Sequence, residues 1–267
     1  MLNKTTSRIY KTSTLTKGAP SFDELRTLFQ NWKTDEEPID FARRLRTDGI
    51  LVKQTAQRAE DLVLRMFRSW FLSPDTQAAA RIQNILEKNV EWQTLNELFL
   101  LYKSRAETIL YDFLILKFWM QFQDGALYLR KSDVDDFLHD AVQKNMIEKQ
   151  WSENTKTRLI QGIFVALKDA GFLKEEKQNL YAFVNYRVSS FMFSYLAYDL
   201  HFTGLTDQAV IDHLDWQLFG LKRPQILQAL SDIGSKCGLL VQQAGSVVRI
   251  TWNFASMDEV IDAYFNR

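Results

Sequence analysis

Apolar residues recur at three- and four-residue spacing along almost all of this 267-residue chain, and only four prolines and ten glycines interrupt them. Such a rhythm lines apolar side chains along one stripe of successive helices and leaves little room for long strands. The spacing therefore predicts a mainly α fold with short β-hairpins. With 46% apolar residues the chain can fill one large core or two modest ones.

The first 19 residues, polar and basic, lack the apolar centre of a secretory signal and read as a flexible or loosely docked arm. Ser21 and Glu24 then make a capping pattern ahead of the stripe Phe22, Leu25, Leu28, Phe29 and Trp32. Pro38 suits the first turn of a second helix that stops at Asp48-Gly49. A longer helix is predicted from Thr55 to Leu72, and another begins near Asp75. Thr94 and Glu97 repeat the capping pattern before an apolar helix or helix pair running to Phe122. Residues 20–124 thus read as a helical bundle.

Beyond Gly125 the rhythm changes. Ala126–Arg130 suits a short strand, Ser132 and Ser152 cap two helices, Gly171 ends the second in a left-handed turn, and two short strands follow near Phe172 and Leu180. Strand, helix, turn, helix, hairpin is the order of a winged helix-turn-helix, predicted over 125–188. A similar order recurs over 189–267, with helices from Ser189, Thr206 and Arg223-Pro224, a hairpin over Leu239–Trp252 and a last helix from Ser256 to Phe265.

Composition narrows the function classes. The 33 basic and 33 acidic side chains cancel, so any nucleic-acid contact must come from local patches. Cys237 is the lone cysteine, which excludes a disulfide framework and suits a reducing, cytoplasmic compartment. Charged residues such as Lys103, Glu107, Asp112 and Asp199 interrupt the most apolar runs, which argues against a membrane span. No phosphate loop, nucleophile elbow or zinc-protease helix is present, and His139, His201 and His213 are scattered. No catalytic residue, cofactor or small-molecule substrate is expected. The carboxylates around His139 (Asp133, Asp135, Asp136, Asp140) suit a solvated helix start better than a metal site.

The cations are more informative. Opposite the apolar stripe of the helix after Ser152 lie Arg158, Gln161 and Lys168, with Lys156 in its first turn. Side chains of this kind on an exposed helix donate to phosphates and read base edges, although an ordinary solvated face has the same composition, and Glu175-Glu176 would repel a phosphate. In the later unit Gln225 and Gln228 share a polar helix face with Asp232, flanked by Lys222, Arg223 and Lys236, while Arg249 points outward from the hairpin. Arg58, Arg65 and Arg68 give the bundle its own positive face, joined by Arg43, Arg44, Arg46 and Lys53, with Asp61 spaced to pair with Arg65. Nucleic-acid binding, docking of a protein partner and a merely solvated surface all remain open on these residues.

The stretch PSFDELRTLFQNWK, the basic helix after it, and above all DVDDFLHDAV with WSENTKTRLIQGIFVALKDAGFL resemble the BrxA family of the bacterial BREX phage-defence systems, over residues 20–184. The resemblance implies a first domain similar to the antitermination factor NusB, a winged-helix portion, and binding of double-stranded DNA alongside other BREX proteins that carry the enzymatic activities. RNA binding through the bundle is the corresponding alternative.

Overall fold

The computed structural model describes residues 9–11, 15–18, 20–34, 36–50, 56–73, 75–88, 90–147 and 150–266. Lys53 and Thr55, the arm's residues 1–8, 12–14 and 19, and part of the break before Trp151 lie outside them. The described residues form a mainly helical fold with small antiparallel sheets, consistent with a bundle followed by winged-helix-like units. The chain divides into two compact units. Residues 1–80 with 99–186 make one, and 81–98 with 187–267 make the other.

In the first unit, Ser21 and Glu24 complete the expected reciprocal cap of the Phe22–Asn31 helix. Phe29 lies at the centre of an aromatic cluster, its ring 4.9 Å from both Phe67 and Phe71 and 5.4 Å from Phe99. The helix expected to end at Leu72 is α-helical over Ala56–Glu60 and continues with π-helical bonding over Asp61–Leu72. The expected cap at Thr94 and Glu97 does not form. The helix starts earlier, at Trp92, so both side chains fall inside its first turns and are buried.

The helix pair closing the bundle spans Trp92–Ala106 and then Thr108–Gln123, the latter in three consecutive segments Thr108–Phe113, Leu114–Phe118 and Trp119–Gln123. This last helix also serves the unit that follows it. Phe118 stacks on Phe172 at 5.8 Å and lies tilted against Phe183 at 5.0 Å, and Trp119 meets Phe172 edge-on at 4.8 Å. Strand β1 (Tyr128–Leu129), helices Lys131–Gln143 and Glu153–Asp169, and strands β2 (Leu173–Lys177) and β3 (Leu180–Phe183) complete it, with sheet order β1-β3-β2. Ser132 falls inside the first helix, one residue past its start. Arg130 holds the cap position instead, and the Asp133 carboxylate reaches back to accept its N–H at 2.6 Å.

The described part of the N-terminal segment is packed. Tyr10 is buried and donates its N–H to Met146 O at 2.8 Å and its hydroxyl to Asp112 at 2.9 Å. Leu15 is buried too, in a 3-10 turn over Leu15–Lys17 that lies on the Glu153–Asp169 helix.

In the second unit, residues 81–98 pack with the C-terminal part. Arg81 reaches Asp199 at 3.6 Å, Lys88 reaches Asp262 at 2.8 Å, and Glu97 accepts both the backbone N–H of Ser189, at 2.9 Å, and its hydroxyl. Glu97, expected to cap its own helix, thus fixes the start of the Ser190–Phe202 helix. Helices Asp207–Ile211 and Arg223–Ile233 precede the hairpin of β4 (Leu239–Ala244) and β5 (Val247–Trp252), and helix Met257–Phe265 ends the chain. Asp207 accepts the Ile250 N–H and the Trp252 indole N–H, each at 3.0 Å. It thereby satisfies β5 on the side away from β4, where β1 supplies a third strand in the first unit.

Gly238 turns the chain into this hairpin at φ +63°, and a Cβ there would lie 2.5 Å from the Phe254 ring. Gly238→Ala is expected to cost about 2 kcal/mol through the left-handed backbone and the clash. Urea unfolding checks it, and a variant as stable as the parent contradicts it.

Candidate nucleic-acid interface

Ser152 starts the Glu153–Asp169 helix by accepting the Thr155 N–H, and Leu159, Ile163, Ala166 and Leu167 bury one side of it. Asn154, Thr157, Arg158 and Gln161 remain exposed on the other. Two of the expected contacts are otherwise occupied. Lys156 Nζ pairs with Glu153 at 2.6 Å, three residues back, and Lys168 Nζ pairs with Glu175 at 3.1 Å while lying over the Tyr181 ring. The lysine beside Glu175 holds that carboxyl below the usual carboxylate range. Glu175 therefore binds a cation of its own helix-hairpin unit, which tempers the repulsion expected of the acidic loop. Arg158 keeps an exposed guanidinium whose Nη1 reaches Thr16 O at 3.4 Å.

The positive face expected on the bundle is largely neutralised within the bundle. Arg65 pairs with Asp61 at 2.8 Å, as their spacing predicts. Arg43 pairs with Asp40 at 2.6 Å, Arg44 with Glu36 at 2.7 Å, Arg46 with Glu60 at 3.3 Å and Arg58 with Glu24 at 3.8 Å. Arg44 and its half-buried partner Glu36 shift in opposite directions, the arginine up and the carboxyl down, mainly through their mutual hydrogen bond. Arg68 is exposed. Like Arg65, it lies on the solvent side of the segment, opposite the buried stripe Leu62, Val63, Met66, Phe67, Trp70 and Phe71.

In the second unit the Arg223–Ile233 helix and β4 enclose an open groove of about 400 Å³, lined by Arg223, Leu227, Gln228, Ser231, Val241 and Gln243 among others. Arg223 is a clamp as well as a cation. It ion-pairs with Asp212 and reaches both Gln208 Oε1 and Ser246 O at 3.3 Å. Gln228 donates to Asp232 at 2.7 Å, and Gln225 is occupied at the helix start, accepting the Lys222 N–H at 2.9 Å. Lys222 and Lys236 are exposed near the two ends of the helix.

Arg249 lies elsewhere. The register pairs it with Gln242, alternating with the buried Val248 and Ile250, so it projects from the hairpin face that carries exposed Leu240 and Val247. Of the residues expected in this unit, the structure brings Arg223 and Gln228 into one groove and leaves Arg249 off it. The groove's Ser231 and Gln243 escaped the sequence reading. Ser231 follows Gln228 by one helical turn, and Gln243 continues the inward alternation of Leu239 and Val241, a signal that exists once the hairpin register is known.

Among the described residues no three His, Cys, Asp or Glu side chains converge as a metal site. No described helix is long and apolar enough to cross a membrane.

The family model BrxA matches residues 8–197. The chain belongs to the BrxA family. No curated protein and no solved structure matches it. Membership associates the chain with BREX phage defence. The BrxA match covers the bundle, the complete first strand-helix-helix-hairpin unit and the start of the Ser190–Phe202 helix. Arg158 and Gln161 are inside the BrxA region, whereas the groove at Arg223 and Gln228 lies beyond its end.

Proposed function

We propose that this BrxA-family chain is a non-enzymatic, cytoplasmic component of BREX defence that binds double-stranded DNA. The observation that carries this reading is the Glu153–Asp169 helix, the second helix of a winged-helix-like unit, which presents Arg158 and Gln161 to solvent. A helix of this position and composition fits a major groove, with arginine on phosphate and glutamine at a base edge. The groove between the Arg223–Ile233 helix and β4 supplies a second polar surface, with Lys222 and Lys236 flanking it.

A duplex titration tests the reading. Binding is expected to weaken steeply between about 50 and 200 mM salt, as counterion release requires. Arg158→Ala is expected to lower affinity on all sequences and flatten the salt dependence by about one unit, because it removes one phosphate contact. No duplex binding at micromolar protein at the lower salt overturns the reading.

One observation favours a second reading, an adaptor that docks another BREX protein. The outward face of the β4–β5 hairpin combines exposed Leu240 and Val247 with Arg249 and Gln242, a mixture suited to a protein surface. Co-purification with a neighbouring subunit that survives nuclease and is lost in Leu240→Asp distinguishes it. RNA binding by the bundle has less support, since most of the bundle's arginines are paired.

A further inference from the structure

The sequence marks the N-terminal segment as a flexible or loosely docked arm, and the structure seats its described pieces on the helix-turn-helix. Tyr10 joins the turn between the two helices, where it bridges to Ile147 in parallel and donates to Met146 O at 2.8 Å. Leu15 fills a notch on the second helix. A Cβ at Gly162 would lie 3.1 Å from Leu15 O, so any larger residue there would press the segment outward by a few tenths of an ångström. Arg158 reaches Thr16 O at 3.4 Å, and the Arg58 guanidinium lies 3.3 Å from where a Cβ on Gly18 would stand.

Two further facts give this arrangement a direction. Asn154, Thr157, Arg158 and Gln161 stay exposed with the segment in place, so it lies beside the outward helix face and does not cover it. The segment is also one-signed, for no acidic residue precedes Asp23, and Lys11, next to the anchoring Tyr10, is exposed. A cationic strand held alongside a groove-reading helix is positioned to follow the neighbouring phosphates, as basic arms do in other helix-turn-helix proteins.

We infer that the anchored pieces Ile9–Lys11 and Leu15–Gly18 extend the duplex-contacting surface, with Lys11 a phosphate contact and Leu15 in the Gly162 notch the positioning residue. This rests on the DNA-binding reading, and the experiment separates the two. Duplex affinity and its salt dependence are measured for the full chain, Lys11→Glu, Leu15→Asp, and a charge-matched control, Lys33→Glu, at the far end of the Phe22–Asn31 helix. Lys11→Glu is expected to weaken binding about three- to tenfold on unrelated sequences and to flatten the salt dependence by about one unit, with unchanged thermal unfolding. Leu15→Asp is expected to weaken it similarly, and Lys33→Glu to have less than a twofold effect.

If the parent binds duplex while Lys11→Glu binds equally well, or Lys33→Glu weakens binding as much, the inference fails and the DNA-binding reading stands. Tighter binding by Leu15→Asp would mean that the segment occludes the helix, which also overturns it. A parent chain that binds no duplex defeats both.

Discussion

Lys103→Met is expected to raise stability by about 2–3 kcal/mol near pH 6, an unusual outcome for a core substitution. The Lys103 side chain is fully buried, its ammonium has no hydrogen-bond partner among the described residues, and it lies over the rings of Trp70, at 4.9 Å, and Phe22, at 5.6 Å. Burial pulls its pKa down to about 8, against the opposing pull of Asp169 and Glu107. Methionine keeps the volume and the aromatic contacts and removes the desolvated charge.

The pH dependence has a definite sign. Between pH 8 and the ordinary lysine value of 10.5 the unfolded chain holds a proton that the folded chain has lost. Parental stability therefore rises with pH relative to the variant, so the advantage of Lys103→Met is complete below pH 8 and fades towards 10.5. Glu107 acts in the acid range. Burial lifts its carboxyl to about 7, although the Trp70 indole donates to it at 2.8 Å. Its folded form holds the extra proton between 4.5 and 7, so this group's contribution to stability grows as pH falls through that window. Urea unfolding at pH 6 and pH 10 decides the matter. A variant less stable than the parent at pH 6, or a gap that does not narrow by pH 10, contradicts the account.

Asp207→Ala is expected to cost about 3 kcal/mol and to loosen the β4–β5 hairpin selectively. One carboxylate accepts both the Ile250 N–H and the Trp252 indole, and hydrogen bonds to a charged acceptor contribute about 1.5–3 kcal/mol each. Its removal leaves two partly buried donors unmatched at the strand edge. Hydrogen exchange is expected to accelerate at Ile250 while the Glu153–Asp169 helix of the other unit keeps its protection. Asp207→Asn, which retains one acceptor oxygen, is expected to recover part of the loss. Equal exchange at Ile250 in parent and alanine variant would show that the pairing with β4 alone holds the hairpin.

The helices were legible where a local signal existed. Ser21, Ser152 and Thr206 cap the helices they were expected to cap, because a side chain bonding an amide two or three residues ahead needs no tertiary partner. Thr94 and Glu97 show the limit, since the same spacing inside a helix leaves no free amide for either to cap, and Glu97 instead accepts from Ser189. The cations follow the same logic. Asp61–Arg65 was visible because both lie on one helix, whereas Lys168–Glu175 and Arg223–Asp212 join different elements and consume cations that looked available. Lys103 and Asp112 were legible only as interruptions of an apolar run; both are buried, because the charge of a side chain does not reveal which neighbours enclose it.

The discontinuous make-up of the two units has a consequence for synthesis. Residues 81–98 belong with 187–267, so a ribosome releases the first part of the second unit well before the rest. The intervening stretch of about ninety residues takes roughly 5 to 20 s to translate. During that delay Ile85, Leu95 and Leu98, buried in the finished protein, have only other nascent or chaperone surfaces against which to shelter. Synthesis of the intervening stretch is therefore a stage at which the second unit is incomplete, and a fragment cut at Tyr186 would lack residues 187–267 permanently.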